Sequence, residues 1–435
     1  MDPSRNSIGC QPPHDAGDDI FDTLLSPLDV GNMRLSHRAV LAPVTRCRAL
    51  GYCPQEAHVA YYEQRASKGG LLITEAVSVC QEGIGFPHSP GIWSDDQVKK
   101  WQRVARAVHG KGAYIFCQLW HVGRASHKYY QPCVDGEGQL NGPVSSTGNK
   151  VPGPWKVRLP DGVMADYSDP RPLKPQEINI VVEQFRRAAR NAMAAGFDGV
   201  EIHGAHGYLI DQFLKDGIND RQDEYGGSIR NRCRFALEVM SAVTEEIGAE
   251  RTAMRISPII DHLAATDSNP VALGLHLISH LNPMKLAYLH VTEPRMTSEG
   301  LKPPSMIADD GDKSLLLFRR AFQGRLMVSG GYTRETGMDA IREGAADLIS
   351  YGRLFIANPD LPLRFALKAK LCDGDRSTYY THDQVKGYVD YEMLTVSQMA
   401  AQVECASLLT PSSQMQLQEW GVMPQEGVMS GIASL

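Results

Sequence analysis

Val200-Glu201-Ile202-His203-Gly204-Ala205-His206-Gly207-Tyr208 is the stretch on which the reading of this chain turns. Apolar residues lead into two histidines three apart, and a tyrosine follows two residues later. Glycines at 204 and 207 free the backbone to turn sharply there. A strand ending this way brings two imidazoles and a phenol around one small volume, where they can hold and protonate one substrate. Taken alone, the stretch also reads as ordinary strand-end polarity or as a metal-binding His-x-x-His pair. Its surroundings decide.

Outward from residues 199–203, short apolar runs alternate with helical spacing. Strands are predicted at 38–43, 71–77, 113–118, 199–203, 253–257, 286–292, 326–329 and 347–351. Helices are predicted at 54–68, 95–111, 175–196, 228–247, 270–281, 313–322 and 334–343, the second opening on Ser94 or Asp95 and closing before Gly112. Such alternation implies parallel strands with right-handed crossovers, and eight units point to a closed barrel. The expectation is an α/β fold: a single (β/α)8 TIM barrel over 28–391, with a hairpin at 28–38 turning on Gly31-Asn32 as an N-terminal lid. Residues 120–172, rich in Pro, Gly, Ser and aromatics, form a long loop after the third strand, of a length that is usually functional. Residues 1–27 read as a flexible leader. Residues 392–435, rich in Met, Gln and Ser, read as a mobile extension with one helix near 397–408.

Composition narrows the function. The chain has 435 residues, 43% of them hydrophobic, enough for a sizeable core. A formal charge of −6 gives no basic field for nucleic acid or membrane surface. No apolar run reaches the roughly 20 residues of a membrane span, and residues 1–19 hold no signal-peptide core. Nine cysteines without a Cys-x-x-Cys pair point to a reducing compartment and against a zinc site.

Thr45, Ala76, Gln118, His203, Arg255, Arg295, Gly331 and Gly352 all fall at or just after predicted strand ends, the rim that carries the active site in such barrels. Ser329-Gly330-Gly331 after the seventh strand pairs with Gly352-Arg353 after the eighth, where the fold commonly binds phosphate. Glycines let backbone N–H groups approach phosphate oxygens, and Arg353 adds a bidentate charge. Gln118 and Arg255 bring an amide and a cation to the mouth. A flat polar ring could use both; the alternative reading of the two is an ion pair closing the barrel mouth.

Five motifs carry a family resemblance: Leu41-Ala42-Pro43-Val44-Thr45-Arg46, Tyr61-Tyr62-Glu63-Gln64-Arg65-Ala66, Gln118-Leu119-Trp120-His121-Val122-Gly123-Arg124, the opening stretch, and Asp223-Glu224-Tyr225-Gly226-Gly227-Ser228. Together they resemble the old yellow enzymes, and within them the 12-oxophytodienoate reductases, over residues 28–391. The resemblance implies non-covalent FMN, NADPH as reductant, and reduction of the C=C bond of α,β-unsaturated carbonyls. It places FMN against Pro43, Val44 and Thr45, with Ala76 along the ring and Gln118 at the pyrimidine edge. It sets Arg255 near N1 and O2, and Gly330, Gly331, Gly352 and Arg353 at the phosphate. His203 and His206 would hold the substrate carbonyl, hydride would pass from flavin N5 to the β-carbon, and Tyr208 would protonate the α-carbon. Arg295 and Tyr380 fall at substrate-side positions.

Gly85-Phe86-Pro87-His88 and Ser257-Pro258-Ile259-Ile260-Asp261-His262 look like the subgroup of jasmonate synthesis. Phe86 and His262 stand where tyrosines tend to occur in the other subgroup. The alternatives are a general enone or nitro-compound reductase, a non-catalytic FMN-binding paralogue, and a barrel metallohydrolase. Partners are a small-molecule enone and at most a second copy of the chain, as monomer or homodimer. The subgroup is commonly peroxisomal, and Ala433-Ser434-Leu435 loosely resembles a peroxisomal address without its basic middle residue; a cytoplasmic location is the alternative.

Overall fold

The computed structural model describes residues 23–132, 141–294, 296–297, 300–301, 315–395 and 397–399. Eight strands form the barrel: β1 (Ala39–Leu41), β2 (Leu71–Ile73), β3 (Tyr114–Trp120), β4 (Gly199–Gly204), β5 (Thr252–Ile256), β6 (Tyr288–Thr292), β7 (Leu326–Ser329) and β8 (Leu348–Tyr351). All neighbours are parallel, β8 pairs with β1, and β3 pairs with β4, so the sheet closes. Among the described residues seven helices wrap it: α1 (Glu56–Arg65), α2 (Asp95–Gly110), α3 (Pro175–Ala194), α4 (Ile229–Ile247), α5 (Pro270–Leu281), α6 (Leu315–Ala321) and α7 (Arg334–Arg342). Side-chain caps set several starts. Ser94, Ser228, Asn269 and Thr333 each accept from a first-turn N–H of the helix that follows.

Strand alternation splits the interior from the helix-facing layer. Leu72, Cys117, Val200, Met254, Leu289, Val328 and Ile349 point outward into the core beneath the helices. Val40, Leu71, Ile73, Phe116, Ala253, Tyr288, Met327 and Leu348 point inward at the N-terminal end. The hairpin Leu28–Val30/Met33–Leu35 plugs that end, with Leu28, Val30, Met33 and Leu35 in the same cluster. Its Gly31 has φ +53, and a Cβ there would lie 2.1 Å from the Glu250 carbonyl oxygen, so glycine is required. The hairpin is therefore a lid on the end opposite the strand C-termini.

One strand pair higher, the inward residues become polar: Gln118, Glu201, Arg255, His290, Ser329 and Ser350. All are buried. A barrel that is apolar below and polar above holds its chemistry at the C-terminal mouth.

Three expectations are corrected. The second strand stops at Ile73, and Val77–Ser78 is a separate short strand pairing with Leu119–Trp120; Thr74 still donates its N–H to the Phe116 carbonyl, and the chain leaves the ladder at Glu75 and Ala76. The third strand runs on to Trp120, which puts that indole at the mouth rather than in the loop. The 120–172 loop carries structure of its own, Val144–Ser145 pairing with Arg171–Pro172 and Val157–Arg158 with Met164–Ala165. A short helix, Leu209–Leu214, also follows the opening stretch directly, its residues all buried. Of the helix expected near 397–408, residues 397–399 are helical and the remainder lies outside the described residues, as do most of the leader, Arg295 and the terminal tripeptide.

Candidate active site

β4 carries His203 and ends at Gly204, and the next four residues aim His206 and Tyr208 into the same volume. Gly207 takes the left-handed turn (φ +77), and a Cβ there would meet the His262 carbonyl oxygen at 2.6 Å and the Leu263 Cβ at 2.9 Å. Gly204 turns out to serve a different need from the one expected. It stays in the strand, and its bare Cα leaves room for the Met254 side chain, 2.6 Å from where a Cβ would stand. The second left-handed residue is His206 itself, at φ +58. A non-glycine residue in that region is strained and persists only where its surroundings fix it.

The fixing is visible. The His206 N–H donates to Ser257 Oγ (2.8 Å), the Gly207 N–H to Asp211 Oδ2 (2.8 Å), and Gln212 Nε2 to the Gly207 and Val122 carbonyls (2.8 and 2.9 Å). Gln212 Oε1 in turn accepts from Arg124 N–H and the Ser145 hydroxyl, which ties the loop after β3 to the loop after β4. Lys215, fully buried, pairs with Asp211 at 3.2 Å and donates to the Ser257 and Ile260 carbonyls. Burial raises the Asp211 carboxyl against the pull of Lys215.

Held this way, the His203 and His206 rings are perpendicular with centroids 5.5 Å apart, and the Tyr208 ring stands edge-on to His203 at 5.1 Å. Trp120 backs both, stacked at 6.3 Å on His203 and edge-on at 4.9 Å to Tyr208. Burial, reinforced by the Arg255 cation, holds both imidazoles well below their ordinary pKa, so both are neutral at pH 7. Burial also raises the Tyr208 phenol, with the Tyr167 and Tyr380 phenols adding to the effect, so it keeps its proton.

Hydrogen-bond direction assigns the ring protons. His203 Nδ1 accepts from the Ala205 N–H (3.3 Å), which leaves a donor on Nε2. Arg255 Nη2 donates to Ser329 Oγ (3.0 Å), Ser329 to Thr292 Oγ1 (3.4 Å), and the remaining Thr292 proton faces His206 Nε2 (3.2 Å). With Thr292 donating to Nε2, His206 carries its proton on Nδ1, the tautomer that leaves a donor for a ligand. Two neutral N–H donors and one neutral phenol can polarise a carbonyl and deliver a proton. Among the described residues no group of three or more His, Cys, Asp or Glu side chains is arranged to hold a metal.

Phe86 packs on Trp120 (5.6 Å), and His262 meets Trp155 of the long loop edge-on at 4.6 Å. Val151, Val157 and Tyr167 of that loop form one apolar cluster with Ala76, Trp120 and Tyr208. The loop therefore walls the site, and Trp155 and Tyr167 are wall residues that the one-dimensional pattern did not reveal. Tyr380 lies on the C-terminal segment, 45% exposed. Arg46 and Arg48, both fully buried, hold that segment down by donating to the carbonyls of Thr378, Tyr379, Asp383, Lys386 and Gly387. Pro43, Val44 and Thr45 are half-buried at the end of β1.

The expected phosphate side is also assembled. Gly330 has φ +138, and a Cβ there would lie 2.3 Å from the Glu293 Cβ; Gly331 has φ +87. Gly352 opens the short helix Arg353–Ala357, with Val44 Cγ2 3.4 Å from its missing Cβ. The exposed Arg353 stands at its first turn. Gln118 and Arg255 face the barrel axis below, and Arg255 Nε is buried without a hydrogen-bond partner. A buried guanidinium with a spare donor calls for an acceptor-rich ligand, so these residues fit an FMN ring whose pyrimidine edge offers carbonyl and ring-nitrogen acceptors.

Residues 23–371 match the NADH:flavin oxidoreductase / NADH oxidase family, and the chain belongs to that family. It is 54% identical to 12-oxophytodienoate reductase 7 of Oryza sativa subsp. japonica over 380 residues, 85% of this chain and 94% of that one. Among solved structures it is similar to morphinone reductase (40% identity, TM-score 0.78, covering 86% of this chain and 96% of that one). It is also similar to an old yellow enzyme homologue from Zymomonas mobilis (39% identity, TM-score 0.77, covering 86% and 100%). The protein is an oxidoreductase of the old yellow enzyme type.

Proposed function

We propose that this chain reduces the C=C bond of α,β-unsaturated carbonyl compounds with NADPH as reductant, and that 12-oxophytodienoate, in jasmonate and oxylipin synthesis, is its substrate. The observation that carries the reading is the convergence of three neutral groups, His203, His206 and Tyr208, at the mouth of a flavin-family barrel. FMN, when bound, supplies hydride to the substrate. Pro43, Val44, Thr45, Ala76, Gln118 and Arg255 would hold its ring, and Gly330, Gly331, Gly352 and Arg353 its phosphate.

His203 Nε2–H and His206 Nδ1–H polarise the carbonyl oxygen, which draws electron density from the β-carbon and stabilises the developing enolate. Neutral imidazoles suit this task, because each keeps one N–H to donate and one nitrogen anchored by the protein. Tyr208 gives its proton to the α-carbon; its raised pKa keeps that proton available across the physiological range. Trp120 and the loop residues exclude water from the same volume. Phe86, His262 and Tyr380, with Arg295, are the proposed substrate wall.

The name of the rice relative supports oxophytodienoate, whereas the morphinone reductase likeness favours a second reading, a general enone reductase. Purified protein assayed with both oxophytodienoate stereoisomers and with cyclohexenone separates them. Turnover of cyclohexenone alone removes oxophytodienoate as the substrate. A peroxisomal location belongs to the same proposal, and a fluorescent fusion with and without the last three residues tests it.

A further inference from the structure

Below the three groups of the mouth lies a buried chain of polar residues that the proposed chemistry does not use. Glu201 is fully buried in the barrel axis. Its Oε1 accepts from Gln118 Nε2 (2.7 Å), and its Oε2 lies 3.0 Å from His290 Nδ1. His290 Nε2 in turn lies 2.9 Å from Ser350 Oγ. Burial, ahead of the opposing pull of Glu201, pushes His290 down, so its imidazole is neutral at pH 7. Burial works to raise Glu201, yet close contact with His290, then Arg255 and the Gln118 amide, hold it below its ordinary value and ionised. An isolated carboxylate in a barrel core is costly, and one retained there has a task or a partner.

Donor and acceptor logic gives this carboxylate a direction. An ionised Glu201 only accepts, so His290 must carry its proton on Nδ1 and Ser350 must donate to Nε2. For the same reason Gln118 must turn its NH2 toward Glu201. The amide oxygen is then left on the other side, available to a ligand N–H at the mouth. Arg255 is drawn the same way. Its Nη2 bonds Ser329, its charge is offset by Glu201, and its Nε stays unpartnered.

We propose that Glu201 is a positioning residue for the cofactor: it fixes Gln118 as an acceptor toward the flavin pyrimidine edge and offsets part of the Arg255 charge beneath it. His290 and Ser350 act through Glu201 by holding its second oxygen. The inference rests on the FMN reading above.

Two-electron reduction of a flavin leaves negative charge near N1, which Arg255 favours and Glu201 opposes. Glu201→Gln removes the opposing charge and frees the Gln118 amide to flip. The test is the midpoint potential and the FMN dissociation constant of the purified holoenzyme, with a thermal melt as a fold check. The variant is expected to shift the potential to more positive values by roughly tenfold in the reduced-to-oxidised ratio, about 30 mV for a two-electron couple. FMN binding is expected to weaken roughly tenfold. A folded Glu201→Gln protein with wild-type potential and FMN affinity overturns the proposal, leaving Glu201 as core packing alone. Should that variant not fold, Glu201→Asp keeps the charge but draws the carboxylate back from Gln118. It is expected to weaken FMN binding with a smaller potential shift, and wild-type values for both again overturn the proposal. A wild-type protein that binds no FMN would instead sink the cofactor reading itself.

Discussion

At the scale of the residue, Tyr208 carries the sharpest expectation. Tyr208→Phe removes the phenolic hydroxyl, and with it the acidic proton, and leaves the ring packed against Trp120 and His203. It should leave FMN binding and reduction by NADPH unchanged while slowing enone reduction by about 10²–10⁴-fold, the usual worth of a positioned acid. Stopped-flow traces of the two half-reactions check this, and an unchanged rate with a slow enone takes Tyr208 out of the role. Residue-level legibility was uneven for a physical reason. His203, His206 and Tyr208 are neighbours in sequence, so their meeting could be read from spacing. Gln118 and Arg255 could be placed at strand ends. Glu201, His290 and Ser350 come from three strands and meet only across the barrel axis, and nothing in one strand's pattern says that its polar residue faces two others. The strained backbone of His206 was equally hidden, because only the contacts of Ser257, Asp211 and Gln212 make it affordable.

Among the elements, the turn from Gly204 to Tyr208 matters most. Gly207→Ala places a Cβ 2.6 Å from the His262 carbonyl oxygen in a left-handed conformation. It should cost about 1–3 kcal/mol of stability and displace His206 and Tyr208 together. A melt and an enone-reduction rate check it, and wild-type values in both would show that the turn is less fixed than its contacts imply. Strand and helix positions were legible because apolar period and capping residues agree, as at Ser94 before α2 and Asn269 before α5. The break after Ile73 was not, since the polar pair Thr74-Glu75 sits between Leu71-Leu72-Ile73 and Ala76-Val77, and burial of both residues at the rim cannot be read from one strand's pattern. Nor was the closeness of Trp155 and Tyr167 to the site, because a loop's landing place depends on partners far away in sequence.

For the whole molecule, the buried imidazoles predict acid sensitivity. His37 and His262 are held down to about 4, His121 to about 3, and His203, His206 and His290 also lie below their ordinary value, burial leading in each case. Each is neutral when folded but binds a proton below about pH 6.5 when unfolded. The unfolded state therefore gains protons as pH falls, and stability drops below pH 6.5 by about 1.4 kcal/mol per pH unit for each such group until its folded pKa is reached. Melting temperature should fall steeply from pH 7 to pH 5 and change little from these groups between pH 7 and 8. A melting temperature that holds or rises toward pH 5 would contradict the burial assigned to them. The closed barrel itself was the most legible feature, because eight strand–helix units leave few other ways to bury both faces of a parallel sheet.

In the proposed function this barrel holds FMN and passes hydride to an enone whose carbonyl is clamped by His203 and His206. The most direct test is anaerobic absorbance of the purified protein. The purified protein is expected to be yellow and bleached by NADPH, with its flavin bands returning on addition of oxophytodienoate or a simple enone in the absence of oxygen. A protein that bleaches with NADPH but is reoxidised by no enone would contradict that function.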